Sequence, residues 1–350
     1  NEVREITKKL YEKTPSKELD AYEIGKKINL EYFLAIVERL GSRFDNFIYE
    51  SEAGVAGAKI VRDNIPNVFQ ESEGAVIYEG EQDGLHTRVF INKDGYPTYE
   101  AKDIGLLSLK FDRFNPDIAI LITDHQQTSY YEVVLSAAGK IEPKWKECMI
   151  HRTHGRMTFK GEKMSSRLGG VPIAQSVLDA VVEEVKDKSR ELSRQSQEAI
   201  AIGALKFVIL RAMAGKDINF DPDTSLSFEG DSGPYIQYTA VRASSILAKA
   251  KEIGINPSLQ VRPVKEITDV EHLIARFPDV VVHATQGWAP HYIVTYLLEL
   301  SQTFNSWYGN TKIIDEGDGL TPHRLVITSA VQKTITNGLW LLGISVPERM

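Results

Sequence analysis

The 350-residue chain has one cysteine, Cys148, which excludes an internal disulfide and a multi-cysteine zinc site. It is therefore read as an intracellular protein without zinc. No stretch approaches the ~18 apolar residues of a membrane span. The most apolar segment, 199–215, is broken by Lys206 and Arg211. Net positive charge is lacking too: 41 Lys and Arg face 48 Asp and Glu, a net charge of −7, so nothing global calls for nucleic acid. Such a partner must be held by local features. The chain opens Asn-Glu-Val-Arg with no initiator Met and no apolar signal segment, which reads as a start that is processed or internal to a longer chain. No fixed-period repeat occurs, so solenoids and propellers are excluded.

What is present divides in two. At about 100–200 residues per domain the length suggests two domains, and the texture changes near Gly230. Before it, strand-like runs alternate with helical patterns: 75–78, 87–91 ahead of the Asn92-Lys93-Asp94-Gly95 turn, and 118–122. The last, Ile118-Ala-Ile-Leu-Ile122, has the pattern of a parallel strand buried on both faces, followed by a helix over 128–138 ending at Gly139. That order puts Asp124-His-Gln-Gln127 at the carboxyl end of a strand, where α/β sheets bind ligands, although taken alone Asp124 is better read as a helix cap. After Gly230, helical patterns cover 234–252, 269–285, 291–308 and 322–342, with Pro257, Pro263, Pro278 and Pro290 between or near the ends of them. The reading is an α/β part over 1–230 and an all-α bundle over 231–350.

Three constellations carry chemistry. From Lys140 to Arg167 eight basic residues face three acidic ones, and the segment ends in a glycine-flanked loop, Gly161-Glu-Lys-Met-Ser-Ser-Arg-Leu-Gly-Gly170. Lys163 and Arg167, with the Ser165 and Ser166 hydroxyls, suit a polyphosphate whose charge grows as it is displaced. Tyr99 and Asp103 are four apart and share a helix face, a receptor for a guanidinium or ammonium or, alternatively, a solvated surface. Tyr235, Tyr238 and Arg242 lie at i, i+3 and i+7, giving two stacking rings and a cation for unpaired bases or, alternatively, core.

Lys163-Met164-Ser165-Ser166-Arg167 resembles the KMSKS signature of class I aminoacyl-tRNA synthetases, with Ser166 where the second Lys normally stands. Pro97-Thr-Tyr-Glu-Ala-Lys-Asp-Ile-Gly105, Lys110-Phe111 and Asp124-His-Gln-Gln127 resemble arginyl-tRNA synthetases in particular. So do Gly215–Asp221, Phe228–Tyr238 and the closing Gly338–Met350. The resemblance implies an incomplete Rossmann-like catalytic domain followed by a helical DALR-type anticodon-binding domain. It implies that Tyr99, Asp103 and Gln127 hold arginine, with Asp103 on the guanidinium. Lys163, Met164, Ser165, Ser166 and His154 would serve ATP, Lys163 and Arg167 would promote adenylate formation, and Tyr235, Tyr238, Arg242 and Met350 would line the anticodon pocket. Arginine, ATP with Mg2+ and tRNA(Arg) are the implied partners of a monomeric cytoplasmic ligase, with no protein-held metal and no membrane.

Two features depart from that pattern. No His-x-Gly-His signature occurs, so the expectation is a chain lacking the amino-terminal part of the catalytic domain and unable to form adenylate alone. The 231–350 segment carries 10 basic and 11 acidic residues, a net −1 where an RNA-binding domain is expected to be basic, so stacking and a few placed cations must carry affinity. The alternative is an RNA-binding or regulatory module without catalysis. A cysteinyl-type relative is disfavoured, because such enzymes hold zinc with several cysteines.

Overall fold

The computed structural model describes residues 15–160, 173–260 and 266–350, together with Ile6 and Lys13. The chain forms two compact units, 1–155 and 156–350.

In the first unit, helix α1 (Lys17–Arg39) starts at Ser16, whose side chain accepts the Leu19 N–H. Helix α2 (Glu50–Asp63) leads into a three-stranded antiparallel sheet of β1 (Gln70–Ser72), β2 (Ala75–Tyr78) and β3 (Arg88–Ile91). The Asn92 side chain accepts the backbone N–H groups of Asp94 and Tyr96, and Gly95 takes φ +82°, so the predicted turn forms and brings Thr98 back onto Phe90. That return starts helix α3 (Tyr99–Phe114) at the first candidate ligand residue.

Helix α3 lies directly on α2. A Cβ on Gly57 would sit 1.7 Å from the Ala101 carbonyl oxygen, and one on Gly105 2.0 Å from that of Ala53, so the backbones approach to a distance only glycine permits. Ion pairs Lys102–Glu50 and Arg113–Glu52 flank the contact. The unit continues through β4 (Ala119–Asp124), a 3-10 turn (His125–Gln127), α4 (Thr128–Ile141), α5 (Pro143–Glu147) and β5 (Met149–His154), with β4 and β5 parallel. Its core gathers Phe69, Tyr78, Phe90, Ile104, Val133 and Val134.

Two expectations are corrected here. The 118–122 run is not buried on both faces: Ile118, Ile120 and Ile122 are 52%, 43% and 68% exposed. Among the described residues β4 pairs only with β5, and Ile120 borders an apolar groove lined by Phe33, Phe44, Phe47 and Phe114. Ile122→Thr, which keeps the β-branch, is accordingly expected to move the thermal midpoint by less than about 2 °C in a melting scan. The helix after Gln127 also does not stop at Gly139. It runs through to Ile141, because Gly139 makes room for Lys146, whose Cδ would lie 2.8 Å from a Cβ there.

The second unit opens with β6 (Met157–Phe159), then α6 (Ala174–Lys188), α7 (Arg194–Arg211), β7 (Ile218–Phe220) and α8 (Pro222–Ser225), with β6 and β7 parallel. The predicted bundle follows as α9 (Gly233–Glu252), α10 (Asp269–Gly287), α11 (His291–Asn310) and α12 (Thr321–Leu341). Pro278 falls inside α10, not between helices. A Thr268–Glu271 capping box fixes the start of α10, and Phe277 stacks on Tyr296 at 5.5 Å, so packing holds the helix through the missing donor. Val294, Leu297, Leu300, Phe304, Leu325, Val331 and Ile335 form the bundle core.

Candidate functional site

Asp103 sits one turn into α3, half-buried, and its carboxylate is already held by protein. The Tyr130 hydroxyl donates to Oδ2 at 2.5 Å and Tyr131 donates as well, both from α4. Burial pushes the Asp103 carboxyl above its ordinary range, and the two hydroxyls oppose that shift without cancelling it. Both tyrosines are pushed upward, first by burial and then by the carboxylate, so they are donors at any ordinary pH. Arg88 of β3 pairs with Glu100 at 3.1 Å and lies 5.1 Å from the centre of the Tyr130 ring, which fixes that ring from behind. Lys110, held below its usual range by burial and partly restored by Asp103, lines the same narrow slot with Leu121 and Met149.

The other two predicted arginine ligands are solvent-facing. Tyr99 is 69% exposed at the start of α3, with the Lys102 ammonium 5.0 Å from its ring. Gln127 is exposed at the end of the 3-10 turn, three residues before Tyr130 and thus one helical turn away from it. The turn is fixed by Asp124, whose side chain accepts the Gln126 N–H at 2.8 Å, so Asp124 caps the 3-10 turn, while the position before α4 is Gln127, which makes no side-chain cap bond. Sequence reasoning missed Tyr130, Tyr131 and Arg88. The Gln127-to-Tyr130 spacing of one turn was the available signal.

Of the two histidines before the loop, His151 is half-buried between Thr123, whose Oγ1 is 2.7 Å from Nε2, and the Tyr131 ring at 4.9 Å. Burial holds its pKa below the usual value. His154 is exposed, with Nδ1 2.9 Å from the Gly155 carbonyl oxygen. Lys163, Met164, Ser165, Ser166 and Arg167 lie outside the described residues. The chain just ahead of them is anchored: the Lys160 N–H donates to the Phe220 carbonyl at 2.9 Å, and Lys160 Nζ pairs with Asp221 at 3.0 Å. β7 and Asp221 thus hold the described chain as far as Lys160.

In the bundle, Tyr235, Tyr238 and Arg242 are half-buried on one face of α9, and α11 completes the cluster. The Arg242 guanidinium lies 4.6 Å from the Tyr238 ring and 5.2 Å from that of Tyr308, and its nitrogens donate to the Tyr238 hydroxyl and to Asn305 Oδ1. Tyr308 is 41% exposed and belongs to this face, whereas Trp307 packs against the core. Rings and a guanidinium plane presented together can stack unpaired bases. Met350 is half-buried at the chain end. Gln237, fully buried against Gly203 of α7, donates to the Ser345 carbonyl at 2.7 Å and ties the tail to α9.

A family model described as tRNA synthetases class I (R), catalytic domain, matches residues 38–221, and one described as DALR anticodon binding domain matches 236–350. These define a class I aminoacyl-tRNA synthetase catalytic segment followed by a helical anticodon-binding domain. The chain is 30% identical over 329 residues to the arginine–tRNA ligase of Bacteroides thetaiotaomicron, covering 89% of this chain and 55% of that protein. It is 32% identical over 295 residues to that of Alkaliphilus metalliredigens, covering 82% and 52%. It matches the structure of Thermus thermophilus arginyl-tRNA synthetase with a TM-score of 0.74 at 26% identity, over 95% of this chain and 65% of that one. The chain belongs to the arginyl-tRNA synthetase family. It spans little more than half the length of the curated relatives it matches. No helix among the described residues is long and apolar enough to cross a membrane.

Proposed function

We propose that this chain supplies the arginine-recognising, pyrophosphate-releasing and anticodon-reading parts of an arginine–tRNA ligase. The observation that carries the proposal is Asp103: a half-buried carboxylate kept as an acceptor by two tyrosine hydroxyls, beside exposed Tyr99 and one helical turn from Gln127. A planar guanidinium with several donors is the cation best matched to such a carboxylate. In this reading Asp103 takes the guanidinium, and Tyr99 and Gln127 hold the rest of the amino acid. ATP enters as its magnesium complex, so Mg2+ arrives with the substrate.

The reaction then needs positioning and charge stabilisation more than covalent help from protein. An arginine carboxylate oxygen forms a bond to the α-phosphorus of ATP as the bond from that phosphorus to the bridging oxygen breaks. Pyrophosphate leaves with the electron pair, and Lys163 and Arg167 are assigned to its growing charge. His154 is assigned to the nucleotide side. The resulting adenylate, a mixed anhydride, is the donor to tRNA(Arg), whose anticodon is assigned to Tyr235, Tyr238, Arg242 and Met350. The functional boundary is placed at 230/231, which the gap between the two family matches supports. We further propose a monomer working in the cytoplasm.

Because no His-x-Gly-His occurs in the 350 residues, these residues alone are expected to bind arginine without forming adenylate. Isothermal titration calorimetry of the purified chain should give heat with arginine and none with lysine. Arginine-dependent pyrophosphate exchange should stay at background. Exchange above background would remove the claim of inactivity, and equal heats for arginine and lysine would remove the assignment of Asp103.

A further inference from the structure

Asn305 of α11 is central to the hydrogen bonding of the face just described, although no sequence motif includes it. Its Oδ1 accepts from Arg242 Nη1 at 2.6 Å, and its Nδ2 donates to the Tyr235 hydroxyl at 3.0 Å and to Thr239 Oγ1 at 2.9 Å. The orientation of the amide is settled by chemistry: a guanidinium has only donors, so the oxygen must face it. Thr239 Oγ1 in turn donates to the Tyr235 carbonyl at 2.9 Å, so it meets Asn305 as an acceptor. Asn305 thereby uses both amide hydrogens and one acceptor position, with all three partners satisfied at once.

The consequence falls on the tyrosines. The Tyr235 oxygen accepts from Asn305 and the Tyr238 oxygen accepts from Arg242 Nη2 at 3.1 Å. A phenol has one hydrogen to give, and neither hydroxyl meets an acceptor among the described residues. Both O–H groups are therefore turned away from the network, as donors.

We infer that Asn305 is a positioning residue of this face, acting with Arg242 to present the Tyr235 and Tyr238 hydroxyls as hydrogen-bond donors to acceptor atoms of an RNA base or its phosphate. The inference rests on the reading of this face as the anticodon contact. It adds that the tyrosines discriminate through their hydroxyls as well as stacking through their rings.

The test uses the whole 350-residue chain and two tRNA transcripts, one with an arginine anticodon and one identical except for that triplet, in filter binding at fixed salt. Asn305→Ala is expected to lower the ratio of the two affinities about tenfold, with the thermal midpoint little changed. Tyr235→Phe and Tyr238→Phe, which keep the rings, should each lower the same ratio several-fold. Asn305→Asp should fall between wild type and Asn305→Ala, because it still accepts from Arg242 but draws the Tyr235 proton inward. An unchanged ratio in both Asn305 variants, with only the midpoint lowered, would make Asn305 a packing residue and overturn the inference. If Asn305→Ala does not fold, the two Phe variants and Asn305→Asp decide in the same way. If wild type binds both transcripts equally, the anticodon reading itself falls, and the inference with it. Loss of binding in Tyr238→Ala alongside indifferent Asn305 variants sinks the inference alone.

Discussion

Asp103→Asn is expected to weaken arginine binding by about 100-fold, or about 2.8 kcal/mol, in calorimetry at pH 7. The substitution keeps the shape of the side chain and an oxygen to accept the Tyr130 hydroxyl, so the loss reports the charge. The effect on stability should run the other way. Burial raises the Asp103 carboxyl above its ordinary value, so the ionised form is penalised in the fold, and stability is lost as pH rises through the folded pKa. A neutral amide removes that penalty, and the variant should melt no lower than wild type at pH 7. Binding has the opposite pH dependence, because the guanidinium needs the ionised carboxylate. Arginine affinity should fall as pH is lowered, with a midpoint above the 3.8 of an unperturbed aspartate. The groups that face Asp103 and set this midpoint are Glu100 and Lys110 on α3 and Tyr130 and Tyr131 on α4. A midpoint at or below that of a free carboxylate, or full affinity in the Asn variant, would take the guanidinium away from this residue.

Tyr238→Ala is expected to weaken binding of a tRNA carrying an arginine anticodon about 30-fold or more, with a much smaller loss of thermal stability. One stacked base contributes about 1–3 kcal/mol, and truncation also removes the ring under Arg242 and the acceptor for its Nη2. Two losses therefore combine at one site. The stability side is small because Tyr238 is half-buried and meets Phe228 only edge-on at 6.4 Å, outside the main bundle core. Comparable losses in affinity and in melting would return Tyr238 to the core. With 231–350 at net −1, the salt dependence of binding should be shallow compared with that of a basic RNA-binding domain.

Much of the candidate site was legible because it is local. Four-residue spacing puts Tyr99 and Asp103 on one helix face wherever that helix lies, and the 3-7 spacing of Tyr235, Tyr238 and Arg242 does the same on α9. Asn92 and Gly95 specify the turn that sets the first residue of α3. Partners far apart in the chain were not legible. Tyr130 is 27 residues from Asp103 and Asn305 is 63 from Arg242, and nothing in either segment marks the other as a neighbour.

Burial was the other blind spot. A run of Ile, Ala and Leu reads the same whether one face or two are covered, and only its neighbours decide. The structure leaves Ile118, Ile120 and Ile122 open on one side of a two-stranded sheet. Pro278 shows the same limit from the opposite direction, since packing of Phe277 on Tyr296 sustains a helix that local rules would interrupt.

The sequence by itself determined the change of texture near Gly230, the helices of the closing bundle, the candidate side chains for arginine, phosphate or bases, and the single cysteine. Each of these follows from residue type and short-range spacing. Only the tertiary structure decided which carboxylate is desolvated, which hydroxyls hold it, and that Asn305 and Arg242 donate to the hydroxyl oxygens of Tyr235 and Tyr238. Those properties depend on groups from different elements meeting within about 3 Å, the range over which a hydrogen bond forms.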